Sequence, residues 1–120
     1  MKSILIVDDD PVYARMVREW VKDDYQAFVV VSGEQMLKFL TKRKTDLILL
    51  DYEMSGMSGP QTLTAMRENP ETADIKVIFL SGAADDASIN EIRSLNTAGF
   101  IPKTTTKDNL QQTIRDVLGE

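Results

Sequence analysis

The sequence predicts an α/β protein built around a parallel sheet, and three observations support this fold class. Five short apolar runs alternate with five segments whose apolar residues recur at helical spacing, which is typical of parallel sheets covered by helices. Three of the runs contain only apolar residues, as expected for strands that helices cover on both faces. The chain has 120 residues, 42% of them hydrophobic, which suits one domain with one core. We therefore expect a single domain over residues 1–120.

The predicted strands are the five apolar runs, and the predicted helices are the amphipathic segments between them. The strands are expected at residues 4–7, 28–31, 47–50, 77–80 and 100–101. Each helix has an apolar stripe, and the first stripe contains Val12, Met16, Val17, Trp20 and Val21.

Local start and stop signals agree with these helices. Asp10 is a predicted N-cap with Pro11 at the first helical position, and Thr106 is the predicted cap of the last helix. Further signals are a capping box at Ser32 and Gln35, a third-helix start at Pro60, and a stop at Asn69-Pro70.

The composition excludes several classes of function. The chain has no Cys and no His, which excludes thiolate chemistry, cysteine-bound zinc and imidazole catalysis. A net charge of -5 argues against nucleic acid or an anionic membrane as the main partner. No apolar run approaches the roughly 20 residues that span a bilayer, and the chain begins with a strand rather than a signal peptide. We expect a cytoplasmic protein.

Polar residues follow the predicted strands at one edge of the sheet. Asp8 and Asp9 come after the first strand and Asp51 after the third, while Ser81 and Lys103 follow the fourth and fifth. Neighbouring parallel strands lie about 5 Å apart, and each close carboxylate pair costs on the order of 4 kcal/mol at an effective dielectric near 20. A positive group must therefore lie among the carboxylates. Ligands of open parallel sheets bind at this edge.

These residue types favour phosphoryl chemistry with a hard cation. Carboxylate oxygens without imidazole or thiolate are suited to Mg²⁺, and a carboxylate beside a divalent ion and an ammonium is a possible nucleophile on phosphorus. Asp51 is the preferred nucleophile, with Asp8 and Asp9 as metal ligands. Each residue also has a simpler interpretation, since Asp9 can cap a helix and Lys103 can be a surface lysine. Their joint placement favours a site.

In this order, these residues resemble the receiver domain of two-component response regulators, including the stand-alone chemotaxis type, and the resemblance covers essentially the whole chain. It implies a doubly wound (βα)5 flavodoxin-like fold, a three-layer sandwich with parallel strand order 2-1-3-4-5. The segment from Asp51 to Gly59 resembles the family's loop after the third strand.

The resemblance also implies a role for each site residue. Asp8 and Asp9 match the acidic metal-binding pair, Asp51 the phosphoacceptor, and Lys103 the invariant lysine. Three further matches are Ser81 as the switch hydroxyl, Phe100 as the switch aromatic residue, and Glu53 as a backbone-carbonyl ligand of Mg²⁺.

The implied function is a phosphoacceptor signalling switch that catalyses only its own phosphorylation and dephosphorylation. A sensor histidine kinase or phosphotransfer protein would donate the phosphoryl group, because this chain has no His. Phosphorylation would alter the face formed by the fourth helix, fifth strand and fifth helix, which a downstream protein or an effector domain outside this chain would read. Small residues at Gly82, Ala83 and Ala84 would permit the movement. The candidate residues of that face are Asn90, Arg93, Gln111 and Arg115. Neither nucleic acid nor membrane is an expected direct partner.

Two positions depart from the family pattern. Ser55 stands where the family usually has proline after the methionine, and Thr104 stands where proline usually follows the lysine, often through a cis bond. A cis bond without proline costs about 3 kcal/mol. We therefore predict a trans or strained bond between Lys103 and Thr104, with consequences for the reach of Lys103.

One other function remains as an alternative, and two more are disfavoured by the residues around the acidic pair. A receiver-fold docking module that works without phosphorylation is the alternative, and the two missing prolines motivate it. A dehalogenase-type phosphatase would use the acids at Asp8 and Asp10, but it needs a hydroxyl soon after them, which is absent. A flavin carrier of the same topology cradles phosphate in a first loop rich in Gly, Ser and Thr, whereas this loop is acidic.

Overall fold

The computed structural model describes residues 1–82 and 86–120, and in this part of the chain strands and helices alternate. The strands form one parallel sheet in the order β2-β1-β3-β4-β5, which confirms the predicted doubly wound topology. The elements are β1 (Ser3–Val7), α1 (Pro11–Val21), β2 (Gln26–Val30), α2 (Gly33–Leu40), β3 (Leu47–Asp51), α3 (Gly59–Glu68), β4 (Lys76–Ser81), α4 (Asp86–Ser94), β5 (Gly99–Pro102) and α5 (Lys107–Leu118).

The core consists of two apolar layers, one on each side of the sheet. Because side chains alternate along a strand, Ile4 and Ile6 pack beneath α1 and α5, whereas Leu5 and Val7 pack beneath α2, α3 and α4. All five residues of β1 and of β3 are buried. Burial of each large aliphatic side chain contributes about 1.5–3 kcal/mol. The central strands therefore provide a rigid base for the polar residues at their ends.

At their carboxyl ends, β3 and β4 each extend one residue beyond the predicted apolar runs. The Tyr52 N–H donates to the Leu80 carbonyl at 2.8 Å, and the Lys103 N–H donates to the Ser81 carbonyl at 2.8 Å. These bonds continue the ladder past Asp51 and Ser81, so both residues belong to strands. The pleat of the sheet, rather than a loop, therefore sets the direction of the Asp51 side chain.

Two helix starts follow the predicted caps. The Asp10 carboxylate accepts hydrogen bonds from the N–H groups of Val12 and Tyr13, with Pro11 as the first residue of α1. In α5 the Thr106 hydroxyl accepts from the Asn109 N–H at 3.2 Å. Such caps satisfy N–H groups that have no partner within the helix.

The capping box occurs in α3 rather than in α2. The Ser32 hydroxyl accepts from the Gln35 N–H, but the Gln35 side chain accepts from the N–H of Val31 instead of Ser32. A complete box joins Ser58 and Gln61, whose side chains each accept from the other's backbone N–H at 3.2 and 2.9 Å. The third helix therefore begins at Gly59, one residue before the predicted start.

Gln111 lies against α1, so its predicted place on the face formed by α4, β5 and α5 was wrong. Its side-chain amide donates to the Trp20 carbonyl oxygen at 2.7 Å. Because Leu110 and Ile114 fill the core, the helical rotation of one residue brings Gln111 to the neighbouring helix. Asn90 and Arg93 are exposed on α4, and Arg115 is half-buried on α5.

Three remaining expectations concern the backbone and the membrane. The bond between Lys103 and Thr104 is trans, which was one of the two predicted outcomes. The expected loop movement involves Ala83 and Ala84, which lie outside the described residues. None of the described helices combines the length and the apolar content needed to cross a bilayer.

Candidate functional site

Three carboxylates converge at the carboxyl-terminal edge of the sheet. One oxygen each from Asp8, Asp9 and Asp51 lies within 4.8 Å of the other two. Asp8 and Asp51 are buried, with 0% and 2% exposure, whereas Asp9 is exposed. The pairing of β1 with β3 produces this arrangement, as the sequence predicts.

Lys103 reaches into this cluster from the segment after β5. Its ammonium nitrogen lies 2.8 Å from Asp8 Oδ2 and 3.3 Å from Asp51 Oδ1. Three carboxylates and one ammonium leave a formal charge of −2 at the site. Lys103 therefore contributes part of the positive charge that the crowded acids require, and it does so without a proline after it.

A backbone N–H holds each of the three carboxylates. Asp8 Oδ1 accepts from the Asp10 N–H at 2.9 Å, and Asp51 Oδ1 accepts from the Glu53 N–H at 3.3 Å. These two bonds span two residues, which is the pattern that Asp side chains form in turns. Asp9 Oδ2 accepts from the N–H of Ser55 at 3.0 Å, across 46 residues of chain. Only the two local bonds have a signal in the sequence.

The electrostatics of the cluster favour a proton or a cation on Asp51. Burial, followed by the nearby Asp8 charge, raises the pKa of Asp51 to about 7, although Lys103 opposes the shift. Burial alone would lower the pKa of Lys103, but its bonds to Asp8 and Asp51 outweigh burial and raise that pKa. Lys103 is therefore charged at neutral pH. Its positive charge offsets only part of the effect of burial and of the Asp8 charge on Asp51.

The donor set fits a hard divalent cation. Asp8 Oδ2 is buried, and the Lys103 ammonium contacts it at 2.8 Å. Carboxylate oxygens with excess negative charge are the ligands that Mg²⁺ prefers. The site is therefore chemically suited to the metal that the sequence predicts. Glu53 is exposed beside the site. That its backbone carbonyl binds the metal stays a prediction.

Tyr13 is a site residue that the sequence analysis missed. The Lys103 ammonium lies 4.8 Å from the centre of its ring, within range of a cation–π interaction. Burial raises the pKa of Tyr13, and its buried hydroxyl has no hydrogen-bond partner among the described residues. It lies in the first turn of α1, four residues after Asp9, and this position alone does not predict its contact with Lys103.

We expect the two parts of Tyr13 to act oppositely on stability. Tyr13→Phe keeps the ring and removes the unpartnered hydroxyl, so the free energy of unfolding should stay unchanged or rise by up to about 1 kcal/mol. Tyr13→Leu removes the ring from Lys103 and should lower the free energy of unfolding by about 1–2 kcal/mol. Urea unfolding of both variants tests this. Equal losses in the two variants would show that the hydroxyl, rather than the ring, stabilises the protein.

The predicted switch residues lie on the strands next to the cluster. Ser81 is buried at the end of β4, one strand from β3, with 4% exposure. Phe100 is half-buried on β5 and packs in the layer beneath α2, α3 and α4, whereas the next residue, Ile101, packs in the opposite layer. Their roles in switching stay predictions.

A hydrogen bond connects the loop after β3 to α4. The Tyr52 hydroxyl donates to Glu91 Oε1 at 2.8 Å, and the Tyr52 ring packs edge-on against Phe79 at 5.9 Å between centroids. Tyr52 directly follows Asp51 in the chain. One side chain therefore connects the residue after Asp51 to α4.

Comparison with known proteins finds similarity to a single protein family and its members. The family model of the response regulator receiver domain matches residues 4–115. The nitrate/nitrite response regulator protein NarP of Escherichia coli (strain K12) is 32% identical over 116 residues, which are 94% of this chain and 53% of that protein. Sporulation initiation phosphotransferase F of Bacillus subtilis (strain 168) is 30% identical over 118 residues, 98% of this chain and 94% of that protein.

A solved structure has the same fold. Chemotaxis protein CheY4 of Vibrio cholerae superposes with a TM-score of 0.90, covering 98% of both chains at 23% identity. Among the two curated relatives, the chain spans about half the length of the first and nearly all of the second.

Proposed function

Because the chain belongs to the response regulator receiver domain family, we propose that it is a phosphoacceptor switch of a two-component phosphorelay in which Asp51 accepts the phosphoryl group. The observation that carries the proposal is the contact of the buried Asp51 carboxylate with Lys103 beside Asp8, at the ligand-binding edge of the sheet. Receiver domains act as signalling switches rather than as enzymes that turn over an external substrate.

In the proposed reaction, an Asp51 carboxylate oxygen attacks the phosphorus of a phosphohistidine on the partner. A new O–P bond forms, the P–N bond breaks, and its electron pair leaves with the imidazole, which takes up a proton. Oδ1 is engaged by Lys103 and by the Glu53 N–H, so we assign the attack to Oδ2. Lys103 favours the ionised nucleophile by opposing the effect of burial on the Asp51 pKa.

Asp8, Asp9, Asp51 and the Glu53 carbonyl would hold Mg²⁺ at this site. Bound there, the ion would neutralise negative charge on the carboxylates and on the transferring phosphoryl oxygens. The oxygens from the three side chains already lie within 4.8 Å of one another, which supports this ligand set.

Lys103 and Ser81 would bind the oxygens of the phosphorylated product. The Lys103 ammonium already contacts Asp51 Oδ1 at 3.3 Å, so a phosphoryl group on the other oxygen would form within its reach. Charge-assisted hydrogen bonds of this type are about twice as strong as neutral ones. Ser81 would donate its hydroxyl from the end of β4, which adjoins β3.

The proposed output is a rearrangement of α4, β5 and α5, with movement of Ser81 and Phe100. The bond between Tyr52 and Glu91 offers a connection from the acceptor to α4. Phe100 is half-buried at the edge of the core, which is compatible with a change of rotamer. Such a rearrangement would let a downstream partner or effector domain distinguish the two states.

The proposed partners are a histidine kinase or phosphotransfer protein upstream and a protein reader downstream. The donor must be another molecule, because this chain contains no His. We propose a cytoplasmic location, where such a relay operates. The net charge of -5 gives no electrostatic reason to expect direct binding to nucleic acid.

The direct test is phosphorylation by a small acyl phosphate with Mg²⁺. We expect the mass of one phosphoryl group on the natural chain, located at Asp51 after borohydride trapping, and no adduct on Asp51→Asn. Removal of Mg²⁺ with EDTA should abolish the adduct. An Asp51→Asn protein that gains the same mass would place the acceptor elsewhere.

The alternative of a phosphorylation-independent docking module makes the opposite prediction. Beryllium fluoride, which mimics an acyl phosphate, should then leave the backbone amide spectrum unchanged. We expect shifts at Ser81, Phe100 and α4 instead. The reach of Lys103 into the cluster supports the phosphoacceptor proposal over the docking interpretation, which the missing proline at Thr104 had motivated.

A further inference from the structure

The loops after β1 and β3 are joined by a hydrogen bond at a position where this chain departs from the family pattern. The Ser55 N–H donates to Asp9 Oδ2 at 3.0 Å. We propose that the Ser55 N–H is a positioning group for Asp9, holding its carboxylate where it can bind Mg²⁺. This inference rests on the magnesium site of the proposed function.

Asp9 differs from the other two acids in how it is held. Asp8 and Asp51 are buried, and Lys103 contacts both of them. Asp9 is exposed, so packing restricts its side-chain rotamers less than those of Asp8 and Asp51. The bond from Ser55 ties its carboxylate to the loop that follows Asp51 and keeps an oxygen within 4.8 Å of the other acids.

The chemistry of the bond is compatible with metal binding. A carboxylate has about four lone-pair positions, so one hydrogen bond leaves positions for a cation and removes no charge. Hydrogen bonds to metal-binding carboxylates orient the ligand, and their loss typically costs about 10–100-fold in metal affinity. Because this bond is exposed to solvent, the expected cost lies at or below the lower end of that range.

The identity of residue 55 decides whether the bond exists. Proline has no N–H, so a receiver domain with the usual proline at this position cannot form it. Serine supplies the donor, and its exposed hydroxyl is not required. This property makes a matched pair of variants available, because Ser55→Pro removes the N–H whereas Ser55→Ala keeps it.

The test is a calorimetric titration of the unphosphorylated protein with MgCl₂. Trp20 is unsuited as a fluorescent reporter, since it lies roughly 14 Å along α1 from Pro11. We expect Ser55→Pro to raise the dissociation constant by about three- to tenfold, and Ser55→Ala to leave it within about twofold. Equal or tighter binding by Ser55→Pro would overturn the inference.

A second measurement does not depend on how Ser55→Pro folds. In the natural chain without Mg²⁺, a bond to a carboxylate should shift the Ser55 amide proton downfield, and Asp9→Ala should reverse that shift while the Glu53 amide, bonded to Asp51, moves much less. A Ser55 amide proton whose chemical shift does not change in Asp9→Ala would also overturn the inference.

If the natural chain binds no Mg²⁺ at all, the proposed metal site fails together with the positioning role. If it binds Mg²⁺ and only the Ser55 results disagree, the positioning role alone fails.

Discussion

At pH 8 without divalent cations, Asp51→Asn is expected to raise the free energy of unfolding by about 2 kcal/mol. Burial and the adjacent Asp8 raise the pKa of Asp51 to about 7 in the folded protein, whereas an unfolded chain has the ordinary aspartate value near 4. The folded state therefore keeps a proton that the unfolded state has lost. Ionisation of Asp51 therefore lowers the free energy of unfolding as the pH rises from about 4 to about 7, and this contribution stays lost above that range.

Asparagine cannot ionise, so the variant lacks this loss. Three pKa units correspond to about 4 kcal/mol, a value that already includes the attraction of Lys103, and we expect about half of that gain because the variant still buries a polar amide. The same substitution removes the proposed phosphoacceptor. Stability and function are thus expected to change in opposite directions at this residue.

Urea unfolding at pH 5 and pH 8 with EDTA measures the effect. The difference between the two proteins should be larger at pH 8 than at pH 5. Asp9→Asn is the matched control, because it makes the same charge change on an exposed carboxylate and should alter stability by less than about 1 kcal/mol. An Asp51→Asn protein that is less stable than the natural one at pH 8 would show that attraction to Lys103 outweighs burial and repulsion.

Gly59→Ala is expected to lower the free energy of unfolding by about 3 kcal/mol and to disturb the acceptor site. A Cβ at Gly59 would lie 2.5 Å from the Asp51 carbonyl oxygen and 2.9 Å from Phe79 Cε1. The Asp51 oxygen belongs to the sheet and Phe79 is fully buried, so neither can move away cheaply. The start of α3 would have to shift, and with it the loop that carries Glu53 and Ser55.

Chemical unfolding and a MgCl₂ titration together test this prediction. Gly82→Ala is the control, because its Cβ would meet Lys103 Cδ at 3.9 Å, an ordinary contact, and should change stability by less than about 0.5 kcal/mol. We expect weaker Mg²⁺ binding in Gly59→Ala only. A loss below about 1 kcal/mol in Gly59→Ala would mean that the first turn of α3 relaxes without strain.

Several features of the site were predictable because their causes are local. Asp8 and Asp51 lie at the ends of apolar runs that predict buried strands. The sheet places the ends of these strands, β1 and β3, side by side. The bonds from Asp10 to Asp8 and from Glu53 to Asp51 span two residues each. Such bonds follow from the short reach of an aspartate side chain.

Other features depended on contacts between segments far apart in the chain. The apolar stripe of α5 identifies the side of the helix that faces the sheet. It does not indicate which flank of the helix contacts α1, so Gln111 was assigned to the wrong face. Tyr13 contacts Lys103 across most of the chain, and the close packing of Gly59 on Asp51 depends on how α3 meets the sheet. None of these contacts has a periodicity or a spacing that the sequence displays.

The sequence by itself determined the fold class and the set of polar residues at one edge of the sheet, because strand burial and side-chain alternation repeat every few residues. Only the tertiary structure decided which of their atoms meet. Lys103 reaches Asp8, and Ser55 reaches Asp9 across 46 residues. Such contacts depend on the relative positions of loops on different strands, which are set by the packing of the whole core.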